Sequence, residues 1–420
     1  MSHNNHLQSV SSTDRVFGFS DHASLWFSLG VGLLVMQVGA YLIPAVGTQQ
    51  AMLAILIGSV LGAGFLAYVA QLGADRGLSS SGLIQQTFGS GFAKLPIVLN
   101  IVQLLGWTAF ELVIMRDGVT AMLAQATGIK APWIPYAATL GFGGLLYLLA
   151  AGSMIRLVRQ FIGRYGLPLV VLSLIWLTAQ FVMQANSNPG GFVAFWNREG
   201  KGGMSTIAAI DLVMAMPVSW LPLVADYARY GKEANGSRHA MRGTWMGYAI
   251  ANIWCYGLGV LVVSTSAPGA DLVTTLLLAQ FGLIALGLIL VDELDNAYGD
   301  VHSGAVSLNH LSAKRSVPTW GKVVAVVAIA AAMMLDMHGL EPFLLILSSI
   351  FVPLFGVIVA WLCVSGKATE ARVHVPLAMI WLLGIAVSYF APKLYPDFGQ
   401  SIPALLFTLG LTAAYRKFAK

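Results

Sequence analysis

Two tryptophans and a group of carboxylates, all inside apolar runs, are the side chains of this sequence with chemistry to offer. Trp107 and Glu111 stand four residues apart in Leu104-Leu105-Gly106-Trp107-Thr108-Ala109-Phe110-Glu111, so a helix sets them on one face. An indole platform beside a carboxylate suits a flat heteroaromatic solute carrying N–H donors: the ring stacks, and the carboxylate accepts one or two hydrogen bonds. The alternative for Glu111 is a protonated carboxyl bonded to a neighbouring helix. Trp220 follows Pro217, and its ring can close on the opposite face of such a solute. Val218 and Ser219 beside it offer carbonyls, an N–H and a hydroxyl to the ring edge. A second group is Asp292, Glu293, Asp295 and Asp300, flanked by apolar sequence. Close carboxylates in such a setting cannot all stay ionised and cannot face lipid, so some bind a cation or carry a proton. The alternative is that their helix ends early and solvates them.

The elements that must position these groups are membrane helices. Hydrophobic residues are 57% of the chain, charged residues 10%, and the mean hydropathy is +0.76, values outside the soluble range. A ruler of about 20 apolar residues per crossing predicts twelve spans, near 22–46, 49–72, 96–123, 135–155, 165–184, 205–226, 243–264, 279–303, 321–336, 341–363, 374–391 and 401–416. On that scheme Trp107 lies about 12 residues, or roughly 18 Å, into its span, near mid-membrane. The eighth span places Asp292 and Glu293 at similar depth. The predicted organisation is a cytoplasmic tail at 1–21, a ten-helix transport core at 22–363 and two further helices with a short tail at 374–420. No loop is long enough for a soluble catalytic head.

With the N-terminus inside, 18 of the 23 Lys and Arg residues fall on the cytoplasmic side and 5 outside, which predicts cytoplasmic termini. That bias accounts for most of the net charge of +5, so no nucleic-acid partner is expected. Cys255 and Cys363 lie inside apolar spans and predict neither a disulfide framework nor a zinc site. Residues 1–21 are polar and hold no cleavable signal. No P-loop, HExxH or GxSxG is present, which counts against an ATP-driven pump or a hydrolase. The expectation is a protein that is not an enzyme and needs no cofactor beyond a coupling ion, Na+ or H+.

Interrupted helices are tolerated at membrane depth only where they line a cavity or are buried in protein. In the first span, Gln37 and Gly39 place a polar residue beside a helix weakener. In the sixth, Pro217 and Pro222 each remove a backbone donor. Breaks in helices one and six are what an inverted five-plus-five repeat places on opposite sides of one central site.

The run Ser219-Trp220-Leu221-Pro222-Leu223-Val224-Ala225-Asp226-Tyr227-Ala228-Arg229-Tyr230, with Gly106-Trp107 and Asp295-Asn296-Ala297, resembles the nucleobase:cation symporter-1 family, the cytosine, purine, hydantoin and allantoin permeases. Within it the hydroxymethylpyrimidine transporters are most alike. The resemblance implies an all-α LeuT-type fold and a heterocycle held between Trp107 and Trp220, with Gln37, Val218 and Ser219 nearby. It implies a cation near Met36 to Gly39 and Ile289 to Glu293, where Asp292 and Glu293 stand in place of the hydroxyl-bearing residues of sodium-using relatives. Where relatives often carry an amide four residues after the third-helix tryptophan, this chain has Glu111, which suits an aminopyrimidine. The resulting expectation is a symporter of a bacterial-type inner membrane that imports a pyrimidine-like solute, hydroxymethylpyrimidine or cytosine, on a proton or sodium gradient. Its alternatives are another flat heterocycle such as a purine, hydantoin or allantoin, a passive channel, or an intramembrane enzyme with a metal on the eighth-span acids.

Overall fold

The computed structural model describes residues 9–153, 164–266, 272–336, 340–365 and 371–418. Four of the 18 basic residues counted as cytoplasmic, Arg156, Arg159, Lys367 and Lys420, lie outside these segments. The described chain is almost wholly helical. Its helices are α1 (Phe19–Ser28), α2 (Leu33–Tyr41), α3 (Thr48–Arg76), α4 (Ser80–Phe88), α5 (Lys94–Thr127) and α6 (Ile134–Leu149). There follow α7 (Leu167–Ser187), α8 (Gly191–Trp196), α9 (Thr206–Ser219), α10 (Leu221–Ala228), α11 (Gly236–Thr265) and α12 (Leu272–Leu278). The last are α13 (Gly282–Leu311), α14 (Val317–Ala332), α15 (Leu340–Ser365), α16 (Val375–Leu394) and α17 (Ser401–Phe418).

Each of the twelve expected crossings is helical. Six helices are by themselves long and apolar enough to cross a bilayer, and the bent pairs α1–α2 and α9–α10 raise that to eight. Helices α6 and α14 are apolar but only 16 residues long. Helix α13 has the length, 30 residues, but carries the acidic group. Short helices α4, α8 and α12 between the crossings are additions that the apolar ruler does not register.

The sixth crossing bends by 41° between α9 and α10, at Trp220. Pro217 ends the regular hydrogen bonding of α9, and Pro222 sits in the first turn of α10, where its missing N–H is no loss. The first crossing bends by 60°, but the break lies at Leu29–Gly32, upstream of the expected Gln37–Gly39. Gly39 is inside α2, where an added Cβ would lie 2.4 Å from the Tyr256 carbonyl oxygen on α11. That glycine serves close helix contact rather than unwinding. Gly32 flanks the true break, and a Cβ there would meet the two Glu293 carboxyl oxygens at 3.1 and 3.2 Å.

Packing divides the bundle into two bodies. Helices α1, α2, α3, α9, α10 and α11 pack most extensively on one another, and α5, α6, α13 and α14 form the second group. Helices α15 to α17 pack together beside them, with α15 against α9. The chain ahead of α1 joins the first body. Arg15 donates to the Gly231 and Ala74 carbonyls, and Phe17 exchanges hydrogen bonds with Tyr230 and Lys232 at 2.9 and 3.0 Å.

Candidate functional site

Helix α5 carries Trp107 and Glu111 on its buried face, 6% and 4% exposed, so neither looks into lipid. Phe343 of α15 meets the Trp107 ring edge-on at 5.2 Å. It can do so because residue 106 is glycine: a Cβ there would come within 2.5 Å of the Phe343 ring. The Trp107 Nε1–H has no hydrogen-bond partner among the described residues.

Opposite, α13 runs unbroken through its acids. Asp292, Glu293, Asp295, Asn296 and Asp300 are all buried, which rules out an early end to the helix with solvated carboxylates. The Glu111 and Glu293 carboxyls lie within hydrogen-bonding contact of each other. Carboxylates have only acceptors, so such contact requires a proton or a cation between them.

Glu293 also reaches the break in the first crossing. It accepts from the Leu33 N–H at the start of α2, and Asn296 Nδ2 donates to the Val31 carbonyl at 3.0 Å and to Glu293 Oε2 at 3.2 Å. A free N–H at a helix N-terminus favours a negative partner, and a carbonyl freed by the break needs a donor. One residue pair on α13 meets both demands.

One residue away, the Ser28 hydroxyl at the end of α1 touches Asp292 Oδ1 at 3.0 Å and Asp295 Oδ2 at 2.8 Å. The remaining oxygens, Asp292 Oδ2 and Asp295 Oδ1, have no partner. Ile289, a turn earlier on α13, is fully buried. Among the described residues no three His, Cys, Asp or Glu side chains are grouped to hold a metal ion.

On the α9–α10 side, Trp220 is 8% exposed and meets Trp26 of α1 edge-on at 6.0 Å. Tyr248 of α11 packs against the same Trp26 at 6.0 Å, and its buried hydroxyl is within electrostatic range of Glu111. Val218 is buried, and the Ser219 hydroxyl donates back to the Met216 carbonyl at 2.7 Å, leaving only its lone pairs for a ligand. Met36 and Gly39 sit inside α2 against Gly259 and Tyr256 of α11, so the backbone freed by the break is that of Leu29 to Gly32. Gln37 lies higher, on the wall of a cavity of about 880 Å³. Tyr41, Ile114, Asp117 and Lys130 also line that cavity, so it opens on the side assigned to the exterior by the charge bias.

Sequence reasoning assigned no site role to Ser28, Asn296, Tyr248 and Phe343. Asn296 was within reach of it, since helical spacing sets Asn296 beside Asp292 and Glu293. Asp226, in the sixth-span run, is fully buried and accepts from the Ser80 N–H at the start of α4 at 3.0 Å. Tyr227 donates to the Gly299 carbonyl at 2.8 Å. Much of the conspicuous sixth-span run therefore holds helices together.

This arrangement has relatives. A family model described as permease for cytosine/purines, uracil, thiamine, allantoin matches residues 9–379. A cytosine permease of Escherichia coli O157:H7 is 23% identical over 384 residues, covering 86% of this chain and 83% of that protein. Among solved structures, Mhp1, a nucleobase-cation-symport-1 family transporter in a closed conformation with bromovinylhydantoin bound, superposes with a TM-score of 0.79 at 16% identity. That likeness covers 99% of this chain and 95% of Mhp1. A Na+-coupled sialic acid symporter superposes with a TM-score of 0.61 at 11% identity, covering 96% and 90%. The fold is thus the LeuT-type inverted-repeat transporter fold, and the chain belongs to the permease family for cytosine/purines, uracil, thiamine and allantoin.

Proposed function

We propose that this permease is a symporter that imports a pyrimidine-like heterocycle, hydroxymethylpyrimidine or cytosine, across a bacterial inner membrane with both termini in the cytoplasm. The observation that carries the reading is the buried contact of Glu111 with Glu293 at the break of the first crossing, on the face of α5 that also carries the buried Trp107. An aromatic face and an acceptor-only edge select a flat ring with N–H donors. Trp107 gives one face, Trp220 guards the other side, and Glu111 reads the edge, with Ser219 and the Val218 backbone beside it. The Escherichia coli proteins to which this chain is similar are named cytosine permease, which favours a pyrimidine over a larger ring.

The coupling cation, a proton or sodium, belongs on α13 at Asp292 and Glu293. Those side chains hold α1 and α2 through Ser28 and Leu33, so an ion there changes how the two bodies meet. Solute at Glu111 and cation at Glu293 act on contacting carboxyls, and each then raises the affinity for the other by the same factor. Uptake of labelled cytosine and hydroxymethylpyrimidine into proteoliposomes, with sodium and pH gradients imposed separately, tests this. Saturable accumulation that follows one gradient is expected. Flux that neither saturates nor responds to any ion gradient would replace the symporter with a channel.

A further inference from the structure

Every charged group acting on Glu111 is acidic: Glu293, Asp295 and Asp300, all from α13. From α11 the groups nearby are the Tyr248 hydroxyl, acting on Glu111, and the Cys255 thiol, acting on Asp292 and Glu293. Burial of like charges demands an opposite charge or neutralisation. The two contacting glutamates are not equally provided for. Glu293 has two protein donors, the Leu33 N–H and Asn296 Nδ2. Glu111 Oε2 has none among the described residues and is shielded from solvent. A second, independent vacancy faces the same side of α5, the unpartnered Nε1–H of Trp107 on a residue 94% out of solvent contact by its 6% exposure.

We propose that the site takes its heterocycle as a cation: a protonated aminopyrimidine, or another flat heteroaromatic base with a basic ring nitrogen and an amino group, whose N–H groups donate to Glu111. This rests on the transport reading above and narrows it to a substrate class. The positive ring charge supplies what the Glu111 and Glu293 pair lacks, and a cation over an indole face is held better than a neutral ring. The Trp107 Nε1–H remains free for a ring substituent that accepts. A neutral oxopyrimidine with no amino group, such as uracil, has no basic ring nitrogen to protonate and sets carbonyl acceptors on both sides of its N3–H, so it binds an acceptor-only carboxylate more weakly. No bond in the protein changes. The proton enters on the substrate's ring nitrogen and is released to water on the far side, so the solute itself carries one positive charge across, apart from any coupling ion.

The test uses the full chain in proteoliposomes without sodium, with equal pH on both sides and an inside-negative potassium diffusion potential. Two labelled aminopyrimidines whose ring basicities differ by about two pH units are compared from pH 5 to 9. If the cation is the substrate, each apparent KM rises about tenfold per pH unit above that ligand's own pKa, and the two midpoints differ by about two units. Accumulation also depends on the potential, while labelled uracil, an uncharged oxopyrimidine, competes at least tenfold less well. A common midpoint for both ligands would show that a protein group sets the pH dependence. That result, or equal competition by uracil, overturns the proposal. In either case saturable heterocycle uptake would leave the transport reading standing, and only the absence of any such uptake, with a sodium gradient supplied as well as without one, would remove both.

Discussion

Replacing Asn296 with alanine tests whether the break in the first crossing is held from α13. The side chain is 3% exposed and gives its two N–H donors to the Val31 carbonyl and to Glu293. Alanine leaves the Val31 carbonyl as an orphan acceptor, at about 1–3 kcal/mol, and removes a bond to a carboxylate, at roughly 1.5–3 kcal/mol. Water entering the gap offsets part of this. A net loss of about 3 kcal/mol corresponds to roughly a 100-fold fall in the population with α1 and α2 correctly seated. The assays are initial uptake at matched protein level in proteoliposomes, and the midpoint of thermal unfolding in detergent. Uptake should fall at least tenfold and the midpoint should drop by several degrees. Asn296→Asp should do no better, because a carboxylate cannot donate and adds charge beside Glu293. If the alanine variant transports within threefold of the parent and melts at the same temperature, the break does not depend on this residue.

Other perturbations read different parts of the structure. Glu111→Gln keeps the shape but halves the acceptor capacity at the ring edge, and should raise the KM for an aminopyrimidine at least about tenfold, the value of one lost charge-assisted hydrogen bond. Trp107→Ala should weaken solute binding by roughly 1–2 kcal/mol through lost stacking, whereas Trp107→Phe should lose less than half of that, both measured by equilibrium binding. Asp211→Ala removes the carboxylate that accepts from the Gln400, Ser401 and Ile402 N–H groups at 2.9–3.1 Å at the start of α17. It should destabilise the protein by about 1–2 kcal/mol in thermal unfolding while leaving the KM unchanged. Gly39→Leu places a side chain where the Tyr256 backbone lies 2.4 Å from an ideal Cβ, so α2 must shift from α11 and both folding yield and uptake should fall sharply.

What the sequence discloses depends on whether a property is local. The bilayer ruler finds twelve apolar segments that are all helical because thickness acts on each segment alone, and eight of them, counting the two bent pairs, have the length and composition to cross. Pro217 and Pro222 announce the bend in the sixth crossing because proline cannot complete a helical hydrogen bond wherever it stands. Glycine carries no such message. Gly32 and Gly39 look alike in sequence, yet one lies at the break beside Glu293 and the other at a tight contact with Tyr256. Only the neighbour that a Cβ would strike tells them apart. The same limit governs the site. Spacing puts Trp107 and Glu111 on one face, but periodicity names a face and never its partner, so the meeting of Glu111 with Glu293 was legible only as two separate expensive carboxyls. Phe343 gave no signal, since a phenylalanine in an apolar span is ordinary.

The hydrogen bonds that cross between the two bodies share one chemical character. Ser28 reaches Asp292 and Asp295, Leu33 reaches Glu293, and Asn296 reaches Val31. Farther along, Asn100 of α5 donates to the Pro222 carbonyl at 3.0 Å and Tyr227 of α10 to the Gly299 carbonyl at 2.8 Å. Each joins a broken helix of one body to α5 or α13 of the other. Polar contacts of this kind exchange with water for a net of about 1 kcal/mol each, whereas separating interlocked aliphatic surface exposes area with no compensation from water. A seam held by such bonds can therefore open on one side and close on the other without a large barrier. The buried acids belong to that seam and hold the broken helices through Ser28 and Leu33; on the transport proposed above, the same acids would accept the charge of the entering solute or cation.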